Sequence, residues 1–185
     1  MMGDIHLFKK MSFYIGKRKV GSKNLPLIIA EIGINHNGSL KEAMRIADTA
    51  INSGAEVIKH QTHIVDDEMI GEAKKIKPGN SNNNIFEIME NSSLSEEDEY
   101  LLMRHIQKKG RIFISSPFSR AAVDRLAKFK VPAFKIGSGE CNNYPLIEYI
   151  CRFKKPVILS TGMNSIETIK PAVKILKKNK IKFAL

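Results

Sequence analysis

The chain has little cysteine and no long hydrophobic run. Its two cysteines, Cys141 and Cys151, stand among 185 residues, and the segment 1–19 is basic and broken by charge, unlike a secretory signal. A reduced, cytoplasmic location without a disulfide is therefore expected. No run approaches the roughly 18–20 apolar residues of a transmembrane helix, so no membrane partner is expected.

Aromatic residues are also scarce, at 7%, although the net charge is +11. The lysines are scattered along the chain and do not alternate with aromatic residues as they would in a base-stacking platform. This pattern argues against a nucleic-acid partner and favours a basic surface that attracts acidic small molecules. The hydrophobic content of 43% is enough for one core.

Neither a Gly-x-Gly-x-x-Gly loop nor a Walker Gly-Lys-Ser/Thr sequence occurs. Near-continuous apolar strands alternate instead with amphipathic helices, which predicts an α/β fold with a parallel sheet. The units are short and regular, which favours a (β/α)₈ TIM barrel over a doubly wound sheet. The predicted strands are 25–34, 56–63, 111–115, 133–136, 156–160 and 181–185, and the predicted helices are 39–54, 95–109, 119–128, 145–153 and 165–178.

The chain is short for such a barrel. A complete barrel takes ~250 residues, whereas the pattern yields about five βα units and a nascent sixth strand. We therefore expect a β-like extension at 1–24 and a partial barrel domain at 25–185. An open sheet of this kind exposes an apolar edge, which is an aggregation hazard.

Polar residues recur at the carboxyl end of five predicted strands, where barrel enzymes hold their working groups. They are Glu31 on the first strand, Lys59 and Gln61 on the second, Ser115 and Ser116 on the third, Lys135, Ser138 and Glu140 on the fourth, and Ser160 and Thr161 on the fifth. Agreement among five strands predicts a site at this end of the barrel.

Strand alternation places Lys59 and Gln61 on one face and His60 on the other. A lysine inside a parallel sheet is costly to bury without an anion, so Lys59 predicts a negatively charged ligand. Lys135 predicts the same, and the following Gly-Ser-Gly turn offers N–H groups and a hydroxyl. The ligand class is a small phosphorylated carboxylic acid, unless each lysine reaches solvent instead.

Glu31 and Glu140 are candidate acid–base groups in this lysine-rich setting. They are alternatively salt-bridge partners of Lys59 and Lys135, and the two interpretations are compatible. His36, next to an Asn-Gly turn, is a weaker catalytic candidate.

Five motifs, IAEIGINHNGS, IKHQTH, SSPFSR, FKIGSGE and LSTGMNS, resemble in this order the N-terminal half of the sialic acid synthase family. The family comprises the N-acetylneuraminate synthases and their legionaminate and pseudaminate relatives, and the resemblance runs from Leu25 to about Leu185. It implies condensation of phosphoenolpyruvate with N-acetylmannosamine or a related amino sugar, with release of phosphate.

The resemblance also implies roles for individual residues. Glu31 is similar to the family's first-strand active-site glutamate, and Gln61 and Glu140 resemble residues that meet the acceptor sugar or the intermediate. His60 replaces a commoner phenylalanine and is expected to face away from the substrates. The phosphoenolpyruvate-binding set implied by the motifs is Lys59, Ser116, Lys135, Ser138 and Ser160.

The family requires a divalent metal, manganese or magnesium, whose two histidine ligands lie on later strands, as does an aspartate near the sugar. A C-terminal antifreeze-like domain is exchanged across a homodimer. The 185 residues alone are therefore expected to be inactive. Two alternatives remain: a class I aldolase that forms a Schiff base on Lys59 or Lys135, and a non-catalytic half-barrel binding module.

Overall fold

A computed structural model describes residues 12–79 and 81–185. Part of the predicted extension at 1–24 thus lies outside the described residues. Within these residues the strands are β1 (Ser12–Ile15), β2 (Arg18–Gly21), β3 (Ile29–Gly33), β4 (Val57–Thr62), β5 (Ile112–Pro117), β6 (Phe134–Ile136), β7 (Val157–Leu159) and β8 (Phe183–Ala184).

Strands β3 to β8 form one six-stranded sheet in sequential order. Every neighbouring pair is parallel. A doubly wound sheet reverses its strand order at a switch point, whereas a barrel adds strands in sequence. The predicted fold class is confirmed: the sheet is part of a (β/α)₈ barrel.

The amphipathic helices at 40–52, 96–108, 120–128, 144–151 and 166–178 cover the outer face of this sheet. Four of them begin at a serine that the sequence predicts as a start, because the Ser39, Ser95, Ser119 and Ser165 hydroxyls each accept a backbone N–H of the first turn. Among the described residues, no helix is both long enough and apolar enough to cross a bilayer. The helices are α1 (Leu40–Asn52), α2 (Val65–Glu68), α3 (Ile85–Ser92), α4 (Glu96–Lys108), α5 (Arg120–Lys128), α6 (Tyr144–Cys151) and α7 (Ile166–Lys178).

The β1–β2 hairpin closes the amino-terminal end of the sheet. Its Ile15 is 1% exposed and packs with Val57, Ile114 and Ala133 in a core cluster separate from the helix layer. Arg18 donates from Nε to Glu56 Oε2 at 2.7 Å, which fixes the hairpin at the start of β4. Because this end is filled by apolar side chains, the polar groups collect at the carboxyl end.

The long polar connection between β4 and α4 is more ordered than the sequence predicts. It contains α2, a 3₁₀ turn at Gly71–Lys75, and α3. These pieces share a small core of Val65, Ala73 and Phe86. The connection leaves the carboxyl end of β4, so it lies beside the predicted site.

Candidate active site

Three charged side chains meet at the carboxyl end of β3, β4 and β6. The register pairs Glu31 with Lys59, so both side chains face the same side of the sheet, and the Glu31 carboxylate forms an ion pair with Lys59 Nζ. Lys135 on β6 lies close enough for its charge to act on Lys59. The structure thus brings together a carboxylate and two ammonium groups that are far apart in the sequence.

Both lysine side chains, those of Lys59 and Lys135, are partly desolvated. Burial lowers the pKa of Lys59 to about 8, and repulsion from the Lys135 ammonium adds to this. Burial also lowers the pKa of Lys135. The Glu31 contact favours the charged form of Lys59, and neither lysine side chain is fully solvated. An anionic ligand would supply the missing interactions.

Two further polar groups lie on the same face. Gln61 is paired with Ser116 in the β4–β5 register, two residues beyond the pairing of Lys59 with Ile114. Ser116 is 1% exposed, and its hydroxyl has no hydrogen-bond partner among the described residues. A buried hydroxyl without a partner is costly unless a ligand or water completes it.

The loops after β6 and β7 are tied to each other by an amide that sequence reasoning missed. Asn164 donates from Nδ2 to the carbonyls of Ser138 and Gly162, each at 2.8 Å. This fixes the position of Ser138 relative to the turn after β7. The backbone N–H of Ser160 donates to the Ile136 carbonyl at 3.0 Å, which anchors the start of that turn.

Glu140 ends a 3₁₀ turn, Ser138–Glu140, at the same end of the sheet. Its Oε2 accepts a hydrogen bond from Asn143 Nδ2 at 2.7 Å. Asn143 also accepts from the backbone N–H of Leu146 and so caps α6. The expected alternative of a salt bridge from Glu140 to Lys135 is wrong, because the bonded partner of Glu140 is Asn143.

His60 faces the helix layer, as strand alternation predicts, and His36 lies there with it. The two Nε2 atoms are 3.1 Å apart, and each residue is 1% exposed. His60 Nδ1 lies 3.1 Å from Glu99 Oε1 on α4, and Thr62 and Arg125 also donate to Glu99. The weaker hypothesis of a catalytic His36 is therefore wrong: its ring is buried outside the pocket.

The geometry of this buried network determines which ring nitrogens carry protons. Burial lowers the pKa of His36 to about 4, with a further lowering from His60, so the ring is neutral near pH 7. The backbone N–H of Gly38 donates to His36 Nδ1 at 3.2 Å, which leaves the ring proton on Nε2. His36 then donates to His60 Nε2, and His60 donates from Nδ1 to Glu99. Each group of this buried network therefore has a defined role as hydrogen-bond donor or acceptor.

The described residues do not form a metal-binding cluster. Within 12–79 and 81–185, no group of three or more His, Cys, Asp or Glu side chains converges in a way that could hold one. His60 lies on the helix side of β4 next to Glu99, whereas His63 follows the end of β4 and contacts Gln61 and Glu68. No metal ligand is assigned to the described residues.

The pocket is thus a cationic, hydroxyl-lined site at the carboxyl end of a partial barrel. A model of the NeuB family matches residues 46–185 of the chain. An uncharacterised protein of Methanocaldococcus jannaschii is 41% identical over 165 residues, which are 89% of this chain and 46% of the relative. The N,N'-diacetyllegionaminic acid synthase of Campylobacter jejuni is 34% identical over 157 residues, 83% of this chain and 47% of its own length.

Among solved structures, the chain is similar to the N-acetylneuraminic acid (sialic acid) synthetase from Leptospira borgpetersenii, crystallised in complex with citrate. The TM-score is 0.84 at 31% identity, and the match covers 94% of this chain and 57% of that one. The fold and the strand-end site define a partial (β/α)₈ barrel with a cationic pocket at its carboxyl end. The chain belongs to the NeuB family. It spans about half the length of the curated relatives it matches.

Proposed function

We propose that this chain is the N-terminal part of a barrel that condenses phosphoenolpyruvate with an N-acetylated amino sugar of the mannose type. N-acetylmannosamine is the proposed sugar, as in an N-acetylneuraminate synthase, and the amino sugars of legionaminate and pseudaminate synthesis are the alternatives within the family. The observation that carries the proposal is the pair of desolvated lysines, Lys59 and Lys135, around the partnerless hydroxyl of Ser116.

The two lysines are proposed to bind the phosphate and carboxylate of phosphoenolpyruvate. Charge-assisted hydrogen bonds from ammonium groups are stronger in a water-poor pocket than in solvent. Neutral donors complete the anion's coordination. They are the hydroxyls of Ser116, Ser138 and Ser160.

The sugar is proposed to lie against Glu31, Gln61 and Glu140. In the condensation, C3 of phosphoenolpyruvate joins the aldehyde carbon of the sugar, water adds at C2, and phosphate leaves with cleavage of the C–O bond. One proton must reach the former aldehyde oxygen, and one must leave the attacking water. Glu31 and Glu140 are the proposed acid–base groups for these transfers.

The remaining parts of the proposal concern the whole protein. We propose a homodimer in the cytoplasm without a nucleic-acid or membrane partner, and a Mn²⁺ or Mg²⁺ ion held by residues outside this chain. Residues 25–185 would be a partial barrel domain that a C-terminal half completes. The following unit is proposed to pack on α7, where Ile166, Ile169 and Val173 line a groove together with Lys170, Lys174, Lys177 and Lys178.

The activity itself is the first prediction. The complete gene product, given phosphoenolpyruvate, N-acetylmannosamine and Mn²⁺, is expected to release phosphate and form a nonulosonic acid. Phosphate assay and mass spectrometry of the product measure both. No product with any N-acetylated mannose-type sugar would contradict the proposal.

A Schiff-base aldolase is the second candidate, because a lowered lysine pKa such as that of Lys59 is typical of imine-forming lysines. Borohydride would then trap a covalent adduct on Lys59 or Lys135. The synthase chemistry needs no imine, so the trapped adduct decides between the two candidates.

Binding of phosphoenolpyruvate is expected to weaken as the pH rises through about 8, the pKa of Lys59 in the empty pocket. Below this pH the lysine is an ammonium group and attracts the anion. Above it the free protein loses the charge, and affinity falls by up to about tenfold per pH unit. Calorimetric titration across this range measures the slope.

The matched variant is Lys59→Arg, because arginine stays charged throughout this range. Its affinity, whatever its value at pH 7, is expected to change much less with pH than that of the wild type. A wild-type affinity that stays constant above pH 8 would show that Lys59 does not contact the anion.

A further inference from the structure

Gln61 is held by two residues that no sequence motif assigns. His63 Nε2 lies 3.1 Å from Gln61 Oε1. His63 Nδ1 lies 2.8 Å from Glu68 Oε2 on α2 and 3.0 Å from its Oε1. The side chains of His63 and Glu68 are 2% and 11% exposed, so water competes little for these bonds.

The His63 ring is also fixed in its plane. It stacks on Phe118, which follows β5, with centroids 4.3 Å apart and an interplanar angle of 14°. The ring therefore has one orientation, in which one nitrogen faces the carboxylate and the other faces the amide. Its contacts join β4, α2 and the loop after β5 directly beside the pocket.

The hydrogen bonds from His63 to Glu68 and Gln61 restrict where the ring protons of His63 lie. An ionised carboxylate only accepts, so His63 Nδ1 must carry a proton for Glu68. Nε2 then has two options. It donates to the Gln61 carbonyl from a doubly protonated ring, or it accepts from a Gln61 amide turned the other way.

The surroundings of the other end of the Gln61 amide, next to Glu31, decide between these two options. A Cβ built on Gly33 would lie 3.3 Å from Glu31 Oε1 and 3.5 Å from Gln61 Nε2, so the amide nitrogen and the Glu31 carboxylate border the same small space. An NH₂ group is favourable next to a carboxylate, whereas an amide carbonyl there would be repelled. Orientation by hydrogen-bond partners is the usual criterion for such amides, and it selects the doubly protonated ring.

We propose that His63, paired with Glu68, is a positioning residue that turns the Gln61 amide so that its N–H groups point to an oxygen of the acceptor sugar. This inference rests on the proposed function, and it makes Gln61 a donor rather than an acceptor at that site. The neighbouring acceptor is Glu31. Together they give the sugar one donor and one carboxylate side by side.

The kinetic test uses His63→Phe in the complete gene product. Phenylalanine retains the stacking on Phe118 but donates nothing. Loss of one oriented hydrogen bond, about 0.5–1.5 kcal/mol, raises KM for the amino sugar roughly 2- to 12-fold. KM for phosphoenolpyruvate is expected to change by less than about twofold, because the lysines are untouched.

A double variant separates positioning from a general structural role. If His63 acts only through Gln61, His63→Phe adds nothing to the KM of Gln61→Leu. The matched control is His105→Phe, which breaks a similar His–Asp contact of 2.7 Å to Asp48 between α4 and α1. That variant is expected to leave both KM values unchanged. Additive effects, or equal changes for both substrates, would overturn the inference.

A second measurement does not depend on catalysis. Nitrogen-15 NMR of the unliganded protein is expected to show protons on both His63 nitrogens near neutral pH, and on one nitrogen in Glu68→Gln. A singly protonated ring in the wild type overturns the inference. Should the wild type form no product, the proposed function fails, and this spectrum still decides the role of His63.

Discussion

Replacing Lys135 by alanine in the complete gene product is expected to weaken phosphoenolpyruvate binding by more than about tenfold, or about 1.4 kcal/mol. Lys135 is a half-buried cation with a pKa lowered by desolvation, so its ammonium has few competing interactions in the empty pocket. The anion therefore gains a strong charge-assisted bond there. Isothermal titration of the ligand, without any sugar, measures the loss.

The matched control is Lys128→Ala. Lys128 lies on α5, its side chain is 73% exposed, and it pairs with Glu96 on the outer surface. The Lys128→Ala substitution also removes one positive charge, but at a distance from the pocket where water and salt screen that charge. Affinity is expected to stay within about twofold of the wild type. Equal losses in both variants would mean that overall charge, rather than a contact with Lys135, attracts the ligand.

The orientation of the strand residues could be predicted because it depends on local geometry. Side chains alternate along a strand, so the spacing of Lys59, His60 and Gln61 already separates pocket from helix layer. Parallel strands in sequential order then bring Glu31 and Lys135 to the same end. None of this requires knowledge of a contact between distant residues.

The supporting contacts could not be predicted in the same way. Glu99 lies one turn into α4, among acidic residues that suit any helix N-terminus, and nothing in the sequence marks it as buried. Glu68 belongs to a four-residue helix too short for a periodic signal. Asn143 and Asn164 resemble ordinary turn residues. Their roles depend on tertiary distances, which residue spacing does not encode.

His60, the first histidine of IKHQTH, combines an orientation that the sequence predicts with contacts that it does not predict. Replacement of a commoner phenylalanine by His60 predicts a residue that faces away from the substrates, and the structure confirms that orientation. Its partners, His36 and Glu99, come from other elements and were not predicted. A polar residue at an apolar position requires compensating partners in the core, and here they form a connected network.

Removing the centre of that network is expected to have the largest effect on stability. Glu99→Ala should lower the free energy of unfolding by about 3–5 kcal/mol. The substitution breaks the buried ion pair with Arg125 and leaves the Arg125 charge without its partner. Glu99 is 1% exposed and accepts from His60, Thr62 and Arg125. Chemical denaturation of the complete gene product, followed by a signal from the barrel, measures the change.

Glu96→Ala is the matched control one turn earlier on α4. Glu96 is 46% exposed and pairs with Lys128 on the surface, where removal of a salt bridge changes stability by about 0–1 kcal/mol. A second comparison uses His60→Phe and Glu99→Leu, each alone and both together. The double variant should be more stable than the sum of the two single losses predicts, because it removes donor and acceptor together.

These variants also separate stability from chemistry. The network lies on the helix side of β4, and the lysine pocket lies on the other side, so a folded His60→Phe protein should bind phosphoenolpyruvate with unchanged affinity. A Glu99→Ala protein as stable as the wild type would show that the buried charges are solvated in a way the fold does not indicate. A large loss of ligand affinity in folded His60→Phe would instead show that the two faces of β4 are coupled, and that the position of Lys59 depends on the packing behind it.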